Sequence, residues 1–80
     1  MERTEILQKV QELLSDIIDN EDLVLTEDSA PQNVEDWDSL AHFQLVMEMQ
    51  TEFGIKIGAA EIQSWKKVGD IVDTIQIKLG

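Results

Sequence analysis

Trp37-Asp38-Ser39-Leu40-Ala41-His42-Phe43-Gln44-Leu45-Val46-Met47-Glu48-Met49-Gln50-Thr51-Glu52-Phe53-Gly54 is the stretch whose reading decides the fold. Asp38 is a good N-cap and Gly54 a good C-terminal stop, and Leu40, Phe43, Val46, Met47 and Phe53 recur at helical steps between them. The pattern predicts an amphipathic helix with that stripe turned inward. Ser39 then falls in its first turn, exposed at the positive end of the helix dipole, where a hydroxyl is suited to carry a phosphate ester. That position points to attachment and not to catalysis.

Upstream, Asn20 to Asp38 holds the only proline, Pro31, with the turn-prone Asp28, Ser29 and Asn33, and reads as a long loop. Val24, Leu25, Val34 and Trp37 are the residues expected to pin it to the core. Before it, Ile6, Leu7, Val10, Leu13, Leu14, Ile17 and Ile18 recur at steps of three and four, which predicts a helix from about Arg3 to Ile18. Downstream, Ile55 and Ile57 anchor a short connection, and Ala59 to about Ser64 is expected to form one or two helical turns ahead of Trp65. Val68, Ile71, Val72, Ile75 and Leu79 mark a last helix, with Asp70 in its first turn and Lys78 in its last, both favourable for the dipole. No alternation of strand type runs beyond Ile55-Lys56-Ile57. The fold class predicted is all-α, a small four-helix bundle of three main helices and one short one. Met47, Met49, Phe43, Ile62, Trp65 and Ile71 are assigned to its core.

Length and composition bound the function. Eighty residues make a single domain, 1–80, with a core just large enough to hold it together, a net stability of roughly 4–12 kcal/mol that the charge pulls toward the lower end, and little surface for a deep cleft. The net charge of -11 favours partners with a basic patch and disfavours nucleic acid and anionic membrane. With no cysteine, no apolar signal core and no run of membrane-spanning length, a cytoplasmic, monomeric protein without membrane insertion is expected.

Catalytic and metal chemistry find little support. The single histidine, His42, lies three residues beyond Ser39 on the same helix, no G-x-S-x-G elbow is present, and no third triad member is in evidence. His42 reads instead as an exposed helix residue able to touch a phosphate on Ser39. Asp19, Glu21 and Asp22 suggest a calcium loop, but Ala30 stands where the closing glutamate would be needed. No catalytic residue and no specific metal site is therefore assigned.

The chain resembles the acyl carrier proteins over essentially all of its length. The resemblance is carried by Trp37-Asp38-Ser39-Leu40, the apolar positions that follow, Glu52-Phe53-Gly54-Ile55 closing the helix, and Val68-Gly69-Asp70 opening the last one. Asp-Ser-Leu alone is weak; the combination is specific. The resemblance implies that Ser39 receives 4'-phosphopantetheine from coenzyme A, with Asp38, the N-cap, also a contact for the transferase or its magnesium. Leu40 is expected to pack at the helix start and also to meet partner enzymes. The implied role is to hold acyl groups as thioesters for fatty-acid or specialised, polyketide-like or lipid-like, biosynthesis, while partner enzymes supply the nucleophiles and bases. A chain without cysteine must borrow its thiol from such a group. The implied partners are a phosphopantetheinyl transferase, acyl-activating or acyl-transferring enzymes and ketosynthase-like enzymes, with His42, Glu48 and Glu52 as contacts on helix two. The start at Met1 suggests a discrete carrier and not a piece of a larger synthase.

Two departures from the family pattern stand out. Members serving primary fatty-acid synthesis carry acids on the exposed side of helix two soon after Asp-Ser-Leu, where this chain has Ala41 and Gln44. Between Lys9 and Lys56 it has twelve acids and no lysine or arginine, but ten of those acids lie on helix one or the loop, which moves the negative face. The second departure is Lys67, where a threonine often caps the last helix; the amides there need another partner, such as Ser64 or water. A D-alanyl or other aminoacyl carrier is an alternative, since Phe43-Gln44-Leu45 through Met49-Gln50 resembles helix two of that group. An unmodified acidic helical adaptor is the alternative of another class, and a hydrolase the weakest.

Overall fold

The computed structural model describes residues 1–80 as four helices and no strand. Helix α1 spans Arg3–Ile18, α2 Ser39–Phe53, α3 Ala59–Ser64 and α4 Val68–Leu79. Pro31–Asn33 adds a turn of 3-10 helix within the loop, with Pro31 at its first position, where a missing N–H costs nothing. The bounds match the sequence expectations.

Each helix ends for a local reason. The Glu2 N–H donates to Glu5 Oε1 at 3.3 Å, tying the start of α1. Asp19 closes that helix in the left-handed region at φ 55°, its N–H donating to the Ser15 carbonyl. Gly54 closes α2 in the same way, at φ 64°, where an L side chain is strained and glycine is not.

The core forms where α1 packs on α2 and α4, and α3 covers part of α4. Ile6, Val10 and Leu14 enter from α1, Leu45, Val46 and Met49 from α2, and Val68, Ile71, Val72 and Ile75 from α4. Two expectations fail here. Leu79 is exposed instead of completing the α4 stripe. On α2 the inward face is Ala41, Leu45, Val46 and Met49, while Leu40, Phe43 and Met47 are 65%, 63% and 52% exposed. Those three were assigned inward because they too recur at helical spacing. Apolar residues occupy both sides of α2, and only its position against α1 decides between them.

The loop is pinned by Leu23, Leu25, Ala30 and Trp37, with Val34 half-buried. Val24, expected to face inward, is 74% exposed, because Leu23 and Leu25 on either side of it are the ones that turn in. The loop also solves the missing cap of α4. Val68 N–H donates to the Ser29 carbonyl at 2.7 Å and Gly69 N–H to the Glu27 carbonyl at 2.8 Å. Asp70 Oδ2 accepts from the amides of Lys66 at 2.8 Å and Lys67 at 3.3 Å. Ser64 takes no part in this; its hydroxyl donates to the Glu61 carbonyl. A Cβ on Gly69 would come within 3.1 Å of the Glu27 oxygen, so glycine permits the close approach. Arg3 completes the junction, its guanidinium bonding Glu27, Asp73, Gln76 and the Gly69 carbonyl. The hydrogen bond to Glu27 is the main reason the guanidinium is held more firmly protonated than usual, and the same bond keeps the Glu27 carboxyl below its ordinary value.

Candidate functional site

Asp38 at φ -93° and ψ -171° is extended backbone, and its Oδ1 accepts the Ala41 N–H at 2.8 Å. That bond satisfies one of the amides left open at the start of α2 and fixes Ser39 as the first helical residue. The Ser39 side chain is exposed, and no acid follows it in the first turn. A phosphate ester there would meet the free amides and the positive end of a helix of 15 residues.

Beside Ser39 opens a pocket of about 430 Å³ lined by Pro31, Gln32, Trp37, Asp38, Ser39 and His42. Its walls come from the 3-10 turn on one side and the start of α2 on the other. Trp37 packs inward at 4% exposed, as expected, and its Nε1–H donates to His42 Nδ1 at 3.2 Å. His42 departs from the expectation of an exposed residue. It is half-buried, tilted against Trp37 with ring centroids 5.8 Å apart and edge-on to Trp65 at 6.0 Å. Burial pushes its pKa down from the ordinary value. Nδ1 faces the indole N–H, so His42 offers Ser39 no free base on that side.

The remaining assigned residues separate. Leu40 does not pack at the helix start; it points outward with Phe43 and Met47, and the three make one apolar stripe running away from Ser39. Glu48 and Gln44 are exposed on α2. Glu52 is exposed too, and pairs with Lys9 of α1 at 3.4 Å. Ala41, read as a surface position, is 6% exposed and faces the core, so Gln44 alone marks the loss of an acidic surface residue. The pocket walls Pro31 and Gln32 and the outward role of Phe43 and Met47 were not foreseen. The signal for the latter was present, as a second helical stripe on α2.

An exposed hydroxyl at a helix start with a shallow pocket beside it is a geometry suited to covalent attachment. Residues 5–75 match the family described as phosphopantetheine attachment site, and the chain belongs to that family. It is 36% identical over 78 residues to the acyl carrier protein of Thermotoga maritima, covering 98% of this chain and 96% of that one. The fold is similar to the solution NMR structure of holo acyl carrier protein from Geobacter metallireducens, with a TM-score of 0.84 and 30% identity over 91% of this chain and 84% of that one. It is likewise similar to the crystal structure of the Thermotoga maritima acyl carrier protein, with a TM-score of 0.81 and 28% identity over 99% and 92% of the two chains. The function is that of an acyl carrier on a 4'-phosphopantetheine prosthetic group, with fatty-acid biosynthesis the typical role, and the protein is a carrier that works with biosynthetic enzymes. No helix is long and apolar enough to cross a membrane.

Proposed function

We propose that Ser39 is the residue that bears 4'-phosphopantetheine, with Asp38 holding the serine at the helix start and the first-turn amides of α2 receiving the phosphate. The observation that carries this is the exposed Ser39 hydroxyl at the positive end of α2, opening on the pocket of Pro31, Gln32, Trp37 and His42. When bound, the group supplies a thiol on which an acyl chain is carried as a thioester. The protein's own part is to present that group without attacking it: the pocket contains no carboxylate other than Asp38, whose Oδ1 holds the Ala41 amide, and its one imidazole bonds Trp37.

The outer stripe of α2, Leu40, Phe43 and Met47, is the surface on which the transferase, acyl-activating or acyl-transferring enzymes and ketosynthase-like enzymes dock. Three large apolar side chains exposed along one face of a helix form a contiguous patch of the kind that marks protein–protein surfaces. Exposed Gln44, in place of an acid, shifts recognition here from charge toward apolar contact, which fits a specialised partner set within lipid-like or polyketide-like synthesis. The similar proteins are acyl carriers, which favours acyl over D-alanyl cargo. We place this work in the cytoplasm, where coenzyme A is at hand.

Incubation with a bacterial phosphopantetheinyl transferase, magnesium and coenzyme A, followed by intact mass, tests the assignment. The wild-type chain gains one phosphopantetheine and Ser39→Ala gains none while keeping its helical circular dichroism. Equal modification of the variant overturns it.

A further inference from the structure

The hydrogen bond between Trp37 and His42 spans the serine. Its donor lies two residues before Ser39 and its acceptor three residues after, at 3.2 Å. Both ends are anchored. Trp37 is buried in the core cluster, and the His42 ring stands edge-on to Trp65, whose own Nε1–H donates to Thr74 Oγ1 on α4 at 2.8 Å. Between them Asp38 is tied to the Ala41 amide. The backbone on each side of Ser39 is thus referred to the body of the bundle by side chains that the attachment chemistry itself does not use.

We propose that the Trp37–His42 bond is a clasp that positions Ser39 for phosphopantetheine transfer, closed while His42 is neutral and opened when it is protonated. The inference rests on Ser39 being the attachment residue. In the transfer, the Ser39 Oγ forms a bond to the pantetheine-side phosphorus of coenzyme A. The bond from that phosphorus to adenosine 3',5'-diphosphate breaks, and the hydroxyl proton passes to a base of the transferase. Nothing in that step requires His42 as a base, so His42 is a positioning residue.

The switch follows from the acceptor. Nδ1 can take the indole N–H only with a free lone pair, so the neutral ring carries its proton on Nε2; a second proton sets two donors against each other. Four charged residues share the ring's pocket or lie close along the chain to its aromatic partners. Asp38 shares its pocket, Glu35 and Asp36 flank Trp37 on the exposed loop, and Lys66 adjoins Trp65 on the surface. Burial dominates them and holds His42 below its ordinary value of 6.5. The clasp is therefore closed at neutral pH and opens as pH falls through that lowered value.

The test measures kcat/KM for transfer from coenzyme A by a bacterial holo-acyl-carrier-protein synthase, read by intact mass, across pH. His42→Ala and Trp37→Phe are expected to lower kcat/KM at neutral pH about tenfold, equivalent to roughly 1.4 kcal/mol of lost alignment. In His42→Asn the amide oxygen can accept the same indole N–H without titrating. It should restore the rate to within about threefold of wild type, and the ratio of wild-type to Asn rate should fall on acidification. Slow hydrogen exchange of the Trp37 indole N–H in wild type and His42→Asn, and fast exchange in His42→Ala, reads the clasp without the enzyme. If Trp37→Phe does not fold, the two His42 variants decide the matter. Rates in the Ala variant equal to wild type, or a ratio of wild-type to Asn rate that is flat in pH, overturn the clasp. Loss of modification in Ser39→Ala with unchanged rates in the clasp variants refutes the clasp and leaves Ser39 standing; modification in Ser39→Ala refutes the attachment reading itself.

Discussion

Asp38 and Gly54 close the two ends of α2 by different physics. Asp38 supplies an oxygen to the Ala41 amide; Gly54 supplies a backbone free to turn left-handed, with nothing within 4 Å of where a Cβ would stand. Asp38→Ala should cost about 1 kcal/mol in urea denaturation through the lost cap. Gly54→Ala should cost about 1 kcal/mol purely through backbone strain. Because Asp38 sits beside Ser39, the first substitution should also slow phosphopantetheine transfer, and the second should leave it alone; equal effects on both readouts would contradict this division. Both residues were legible in the sequence, since capping chemistry depends on residue type and local spacing. His42 was not. Its neighbour Trp37 is five residues away and Trp65 far along the chain, so its surroundings exist only once α3 and α4 are in place.

Helix α2 shows where periodicity runs out. Existence, type and ends of every helix could be read from the spacing of apolar residues and the caps, but α2 carries two apolar stripes, and spacing cannot say which faces α1. The spacing points inward for Leu40, Phe43 and Met47 as well as for Val46 and Met49; packing keeps Val46 and Met49, adds Ala41 and Leu45, and leaves the other three outside. The loop carbonyls of Ser29 and Glu27 that cap α4 were equally hidden, because those bonds join distant parts of the chain. The two faces separate experimentally. Met49→Ala, at 0% exposed, should destabilise the fold by about 2–5 kcal/mol. Phe43→Ala should change stability by no more than about 0.5 kcal/mol, as surface substitutions do, and should raise the KM of a partner ketosynthase. The reverse pattern would restore the stripe first read from sequence. Gln44→Glu is the clean probe of partner charge, and should improve turnover by a housekeeping fatty-acid ketosynthase with little effect on the fold. Ala41→Asp is a poorer probe, since it sets a carboxylate at a position facing the core.

At the scale of the whole molecule, charge opposes the fold and a few contacts offset it. A net charge of -11 repels itself, and counterions screen it over roughly 8–10 Å at physiological ionic strength. Added salt or magnesium should therefore raise the melting temperature, and Asp19→Asn with Asp22→Asn should mimic part of the rise; a flat or falling melting temperature would contradict this. Acid acts in the opposite sense on three carboxylates. Glu27 is held low chiefly by its hydrogen bond from Arg3, Glu61 by the Gly58 amide, and Asp70 by the Lys66 amide. Their lowered values mean that the stability they contribute is complete above the ordinary carboxylate range and is lost as pH falls below that range through the lowered values. Glu27→Gln should weaken the junction of α1, the loop and α4 and should flatten that part of the acid unfolding curve; an unchanged curve would remove Glu27 from the account. All of this serves to hold one exposed hydroxyl at the start of α2. The most direct measurement is tandem mass spectrometry of peptides from wild-type protein loaded by a transferase with coenzyme A. Fragment ions are predicted to place the added phosphopantetheine on Ser39 and nowhere else; its appearance on Ser15, Ser29 or Ser64 would contradict the assignment.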